Sequence, residues 1–306
     1  MIRKSVIIAV AACMVASGCS SGAPDTHDAD GRLRLTVSLE PQRALLEAIG
    51  GDRVTVSSLL ANGSDPETYD PTMATLMALE RSAAWIRIGN LPFEDAILER
   101  MPDAAARVFD SSAGIELIEG SHGCTAHAHD DDGNAHGHSH AVDPHVWSSV
   151  KNMKIIGANM LSALDEIDPE GAMYYHARYD SVASRLDSLD AAYSRRLAPV
   201  KGKSFMVWHP SLSYFARDYG LVQHSVTADH RETSLLQLQR TIDRAVDAGV
   251  DVFFEQGSYD PRMSSTVRQH LGAVCATFNP LAYDWENGLD TVVSVLAPAY
   301  DVVDDE

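Results

Sequence analysis

The chain has 306 residues, with 43 Asp and Glu against 24 Lys and Arg, for a net charge of −19. That length allows two ordinary domains or one large one. So acidic a surface repels phosphate backbones, which excludes nucleic acid as a partner; it suits a protein that handles cations, although the same charge also serves solubility alone.

The N-terminus reads as an export signal. Arg3 and Lys4 precede the apolar run SVIIAVAACMVA, which is too short to span a membrane. Ala16, Ser17 and Gly18 before Cys19 resemble a bacterial lipobox. Residues 1–18 are therefore expected to be removed and Cys19 to carry lipid, which anchors the chain to a membrane in the periplasm or at the cell surface. Residues 19–31 read as a flexible tether. Of the four cysteines, Cys13 falls in the signal and Cys19 at the anchor. Cys124 and Cys275 remain, too few and too far apart for a disulfide framework, although an exported location permits a bridge between them.

Strands and helices then alternate. LRLTVSL (33–39), VTVSSLL (54–60), AWIRIG (84–89) and ARVFD (106–110) predict strands, with helices over 41–51, 71–82 and 93–101. The alternation restarts after residue 204: SFMVW, LVQHSV, DVFFE and AVCATF predict strands, and 210–219, 233–249, 260–272 and 284–297 predict helices. The fold class is α/β, with two similar lobes of mainly parallel sheet. Between them Val182, Leu186, Leu189, Tyr193 and Leu197 mark one face of a helix. If 170–198 is a single helix, it is roughly 40 Å long at 1.5 Å per residue and acts as a stiff spine; two shorter helices with a break fit the same pattern. The organisation predicted is an N-terminal lobe over 32–168 with a His-rich loop at 120–142, a linking helix over 169–198, and a C-terminal lobe over 199–306.

The His-rich loop carries His122, His127, His129, His136, His138 and His140 among Gly, Ala, Ser and Asp, with nothing apolar enough to pack. Neutral imidazoles beside Asp130, Asp131 and Asp132 suit weak capture of metal ions at several points, since a floppy ligand set loses chain entropy on closing. His145, in DPHVW, differs: Pro144 restricts its backbone, and Val146 and Trp147 anchor it. On this fragment alone a structural histidine reads as well as a metal ligand.

His209 closes the strand SFMVW, Glu67 lies between Pro66 and Pro71 in NGSDPETYDPT, Asn279 follows ATF, and Glu255 ends DVFFE. All are at carboxyl ends of strands, where open α/β sheets bind ligands. Glu67, His145 and His209 with Asn279 or Glu255 suit a four-coordinate divalent metal. An amide oxygen is a poor zinc ligand, so Asn279 could bind weakly, orient a water or only hold its turn. Glu255 fits either coordination or support of a ligand.

Together the lipobox, GSDPETYDPT, GNLPFE, the His-rich insertion, DPHVW, HPSLSYFARDYGL and FNPLAYDW resemble the bacterial metal-binding lipoproteins of ABC importers, of the ZnuA/TroA type. The resemblance runs from about residue 33 to 297. It implies two α/β lobes joined by a rigid helix, metal held in the cleft between them, and delivery to an ABC-type permease in the cytoplasmic membrane. Mapped by motif, the family's ligands fall on Glu67, His145, His209 and Asn279. The pattern has His where this chain has Glu67, and Asp where it has Asn279. The His-rich insertion implies Zn²⁺, with Mn²⁺ the alternative that Glu67 favours. A monomer is expected. Two other readings stand beside this one. A metal-dependent surface adhesin would use the His-rich loop as a contact. A zinc hydrolase would need an open coordination position and a general base, and the chain lacks HExxH; no enzyme is therefore expected.

Overall fold

The computed structural model describes residues 26–60, 64–101, 107–119, 142–227, 235–256 and 261–297. The signal segment, Cys19, Cys124 and the six loop histidines 122 to 140 lie outside the described residues. The tether predicted to run to residue 31 ends sooner. Residues 26–31 already fold onto the first lobe, where Arg34 N–H donates to the Thr26 carbonyl at 2.8 Å and Thr55 Oγ1 donates to Asp28 at 2.6 Å.

The first sheet contains β1 (Leu33–Val37), β2 (Val54–Ser58), β3 (Ala84–Arg87) and β4 (Val108–Asp110), all parallel, in the order β2-β1-β3-β4. The second repeats this plan with β5 (Ser204–Val207), β6 (Val222–Ser225), β7 (Val252–Glu255) and β8 (Val274–Thr277), in the order β6-β5-β7-β8. In each lobe the second strand flanks the first on one side and the third flanks it on the other. This leaves a topological switch point between the first and third strands, at whose carboxyl end a crevice opens. No sequence repeat announces this symmetry; strand order carries it.

Helices connect the strands and follow the last strand of each sheet. In the first lobe these are α1 (Glu40–Gly50), α2 (Met73–Leu79), α3 (Pro92–Arg100) and α4 (Val150–Ile167). In the second they are α6 (Ser213–Tyr219), α7 (Leu235–Asp247), α8 (Pro261–Leu271) and α9 (Trp285–Leu296). Between the lobes runs α5 (Ala172–Leu197), 26 residues and about 39 Å long at 1.5 Å per residue. It is one unbroken helix. Leu186, Tyr193 and Leu197 are buried, and Val182 and Leu189 pack against the core, as their spacing predicts.

The first half of α5 is bonded to the first lobe: Arg178 Nε donates to the Ala48 carbonyl at 3.0 Å and the Tyr179 hydroxyl to the Lys154 carbonyl at 3.1 Å. Its second half is bonded to the second lobe, with Arg196 on Asp290 at 2.9 Å and Arg185 on Glu286 at 2.5 Å. Gly51, at φ +53°, ends α1 so close to this helix that a Cβ would lie 2.3 Å from the Tyr174 hydroxyl oxygen. One apolar core runs through both lobes and α5. A second cluster, including Met206, Trp208, Phe253, Leu238 and Val267, lies under α7 and α8.

α4 is not among the helices predicted from sequence. Its apolar positions Val150, Met153, Ile156, Met160 and Leu164 keep helical spacing, and Ser149 caps it, accepting from Asn152 N–H at 3.1 Å.

Candidate metal centre

Three loops meet in the cleft. The loop after β2 carries Glu67, and it is held in shape from both sides. Glu67 N–H donates to Asp65 Oδ1 at 2.9 Å, and Arg100 of α3 donates to Asp70 and to the Pro71 carbonyl. Tyr69 packs edge-on against Phe93, with ring centroids 5.4 Å apart. The segment 143–148, which leads into α4, carries His145. The turn after β5 carries His209.

The donor atoms converge. Glu67 Oε1 lies 3.2 Å from His209 Nε2 and 3.9 Å from His145 Nε2, and the two Nε2 atoms are 3.3 Å apart. A tetrahedral ion with bonds of about 2.0–2.1 Å places its ligand atoms about 3.3–3.4 Å from one another. Among the described residues this is the one group of three or more His, Cys, Asp or Glu side chains that could surround a metal ion. Both imidazoles are buried while Glu67 is half-buried, so the group opens toward solvent on the carboxylate side.

Each histidine is held by a residue outside the predicted ligand set, His145 by its ring and His209 by its backbone. Asp143 Oδ1 accepts from both His145 N–H and His145 Nδ1 at 2.9 and 2.8 Å. A carboxylate can only accept, so the ring proton resides on Nδ1 and the Nε2 lone pair faces the cleft. Burial alone would raise the Asp143 carboxyl, but the hydrogen bonds from His145 and the Ser213 hydroxyl hold it below its ordinary value. The His145 ring also lies against Trp147, with centroids 5.1 Å apart. Behind His209 stands Gln256, which follows β7. Its Oε1 accepts from His209 N–H at 2.7 Å, and its Nε2 donates to Ser211 Oγ at 2.8 Å. The signal for Asp143 was an acid two residues before the histidine in DPH.

Glu255 is not part of this group. It precedes Gln256 in an extended strand, where successive side chains point to opposite faces, and its carboxylate pairs with Arg268 at 2.5 Å. Asn279 is exposed, and its Oδ1 accepts from Leu281 N–H at 3.0 Å, so it holds the turn after β8. That turn adjoins the His145 segment, because Trp147 Nε1 donates to the Pro280 carbonyl at 2.8 Å. Among the described residues Cys275 forms no disulfide.

A two-lobed α/β protein with a metal-ligand group in the interlobe cleft and a helix for a spine belongs to the class of solute-binding proteins. Residues 35–298 match the family model of ZnuA, the periplasmic zinc-uptake complex component A, and the chain belongs to that family. It is similar to a crystal structure of ZnuA with a TM-score of 0.76 and 33% identity, over 87% of this chain and 98% of that one. A zinc-bound ZnuA carrying an internal deletion superposes with a TM-score of 0.75 at 32% identity, over 87% and 97% of the two chains. A putative metal-binding protein of Treponema pallidum is 25% identical over 94% of this chain and 92% of its own length. No helix among the described residues is long and apolar enough to cross a membrane.

Proposed function

We propose that the chain captures one divalent transition-metal ion outside the cytoplasm, zinc before manganese, and hands it to the permease of an ABC importer. The observation that carries this is the convergence of Glu67 Oε1, His145 Nε2 and His209 Nε2 at 3.2–3.9 Å, close to the edge lengths of a tetrahedral zinc site. Two imidazoles with a carboxylate suit Zn²⁺ and Mn²⁺ alike. The family's description and the zinc-bound relative favour zinc; the carboxylate at Glu67 keeps manganese as the competitor. Asn279 is the candidate fourth ligand, since Oδ1 retains a lone pair after accepting from Leu281.

On this reading Cys19 holds the chain to the membrane by lipid, and the histidines at 122, 127, 129, 136, 138 and 140 raise the local metal concentration. A hydrolase would require a general base beside a metal-bound water. Among the described residues, the carboxylate within ligand distance is Glu67 itself.

Calorimetric titration of the purified protein with Zn²⁺ and Mn²⁺, paired with elemental analysis of the protein as isolated, tests the proposal. One tight site that prefers zinc is expected, and His209→Ala should abolish it. Tight binding that survives both His145→Ala and His209→Ala would overturn it.

A further inference from the structure

We infer that Tyr214 is a positioning residue for the metal centre: from the C-terminal lobe its hydroxyl fixes the Asp143 backbone in the N-terminal lobe and, through the Asp143 carboxylate, the aim of the His145 ring. The inference rests on the metal-binding reading above.

Residues 118–119 and 142–143 run antiparallel at the root of the 120–141 segment, where Glu119 bridges Val142. In that register Ile118 and Asp143 face each other. An antiparallel pair of the hydrogen-bonded kind exchanges two N–H···O bonds. Here one is direct, from Asp143 N–H to the Ile118 carbonyl at 2.9 Å. The other is relayed. Ile118 N–H donates to the Tyr214 hydroxyl at 3.2 Å, and that hydroxyl donates to the Asp143 carbonyl at 2.6 Å. A side chain from α6 of the opposite lobe is thus inserted as a rung of the ladder, closing a ring of three hydrogen bonds.

The hydroxyl and the ring of Tyr214 have separable roles. The ring is fully buried in the core shared by the two lobes, a place phenylalanine would fill equally well. Arg217, one turn on, stacks over it at 5.0 Å and donates to the Glu116 carbonyl at 2.9 Å, so the same helix grips the same segment twice. The phenol is a donor across the physiological range, and burial pushes it further up, to about 12.

Removing the hydroxyl leaves two outcomes. Either Ile118 N–H and the Asp143 carbonyl remain apart and unmet, or the strands close to the roughly 2.9 Å of a direct bond. Both disturb Asp143, whose carboxylate accepts from His145 N–H and from Nδ1. A metal site tolerates about 0.5 Å of displacement in its ligands. A loss at Tyr214 therefore reaches Nε2 through two bonded residues.

The test is zinc affinity, by competition with a chromophoric chelator, for the wild type, Tyr214→Phe, Asp143→Asn, the double variant and Tyr219→Phe. Tyr219 is the control: it is another buried tyrosine, and its hydroxyl donates to Asp190 on α5 at 2.9 Å, outside the ligand group. Loss of an outer hydrogen-bond partner of a ligand lowers metal affinity about 10–100-fold; Asp143→Asn is expected to fall in that range, and Tyr214→Phe, which acts through Asp143, at about its lower end. The double variant should lose no more than the larger single loss, since both act through one carboxylate. Tyr219→Phe should bind as the wild type does. Wild-type affinity in Tyr214→Phe, full additivity, or an equal loss in Tyr219→Phe would overturn the positioning role. A wild type with no tight zinc site would instead overturn the metal-binding reading, and would do so before any variant is measured.

Discussion

Glu94 is a fully buried carboxyl in the first turn of α3, in the stretch GNLPFE. Its oxygens accept from Ile88 N–H and Gly89 N–H, both at 2.8 Å, and from the Ser38 hydroxyl. These bonds satisfy backbone donors where Gly89 and Asn90 turn at φ +85° and +61°. Burial outweighs them and pushes the carboxyl up to about 7 from 4.5. Because the folded value lies above the unfolded one, the stability linked to this proton is complete below about pH 4.5 and is lost as pH rises through about 7. A shift of that size corresponds to something on the order of 3 kcal/mol. Glu94→Gln carries a fixed cost, since its amide NH₂ opposes a backbone N–H. Its stability relative to the wild type should nevertheless improve between about pH 5 and pH 8. Urea melts of both proteins across that range check the sign; a constant difference would refute the assignment.

The neighbouring pair Glu255 and Gln256 makes the corresponding contrast in the second lobe. Gln256→Ala strips the acceptor from the buried His209 N–H and should cost about 1–3 kcal/mol, with weaker zinc binding. Glu255→Ala removes a partly exposed pair with Arg268 and should cost about 0–1 kcal/mol, leaving zinc affinity unchanged. Thermal melts and chelator competition on the two variants separate these outcomes.

At the level of elements, most of the architecture could be read in advance, and the exceptions have physical reasons. The four-three-four-four spacing on α5 is long and polar on its reverse side, so its phase is unambiguous. α4 has comparable spacing, but Gly157 and Asn159 weaken its propensity. The structure explains Gly157: a Cβ there would lie 3.1 Å from the Tyr179 ring, so the glycine lets α4 cross the spine closely. The parity of β7 was hidden because Phe253 and Phe254 are both fully buried. A strand covered on both faces shows no alternation, so nothing in DVFFEQ says whether the Glu or the Gln turns toward the cleft. The candidate ligands themselves were visible because each follows a strand or a proline-restricted turn. Tyr214 was not, since its partner Asp143 lies 71 residues away and only the folded cleft joins them, whereas Asp143 sits two residues from His145 and showed only as the acid of DPH.

The whole molecule sets the test for the His-rich segment. Since Glu119 and Val142 already pair as an antiparallel bridge, residues 120–141 can be replaced by a two-residue Asn-Gly turn without moving the ends. Titration of this shortened chain should retain the single tight zinc site and lose any weaker ones. Loss of the tight site would place a ligand in the excised segment.

The continuity of the core through α5 also dictates how the chain comes apart. Each half of that helix lends its apolar stripe to a different lobe within one continuous core, and the Tyr283 hydroxyl further ties the loop before α9 to Glu47 of α1 at 2.6 Å. Neither lobe can lose its packing without baring the other's. The metal-free protein should therefore denature in a single sigmoidal transition, with tryptophan fluorescence and far-ultraviolet circular dichroism superimposed, despite having two sheets. Two separated transitions would mean that the lobes are independent cooperative units.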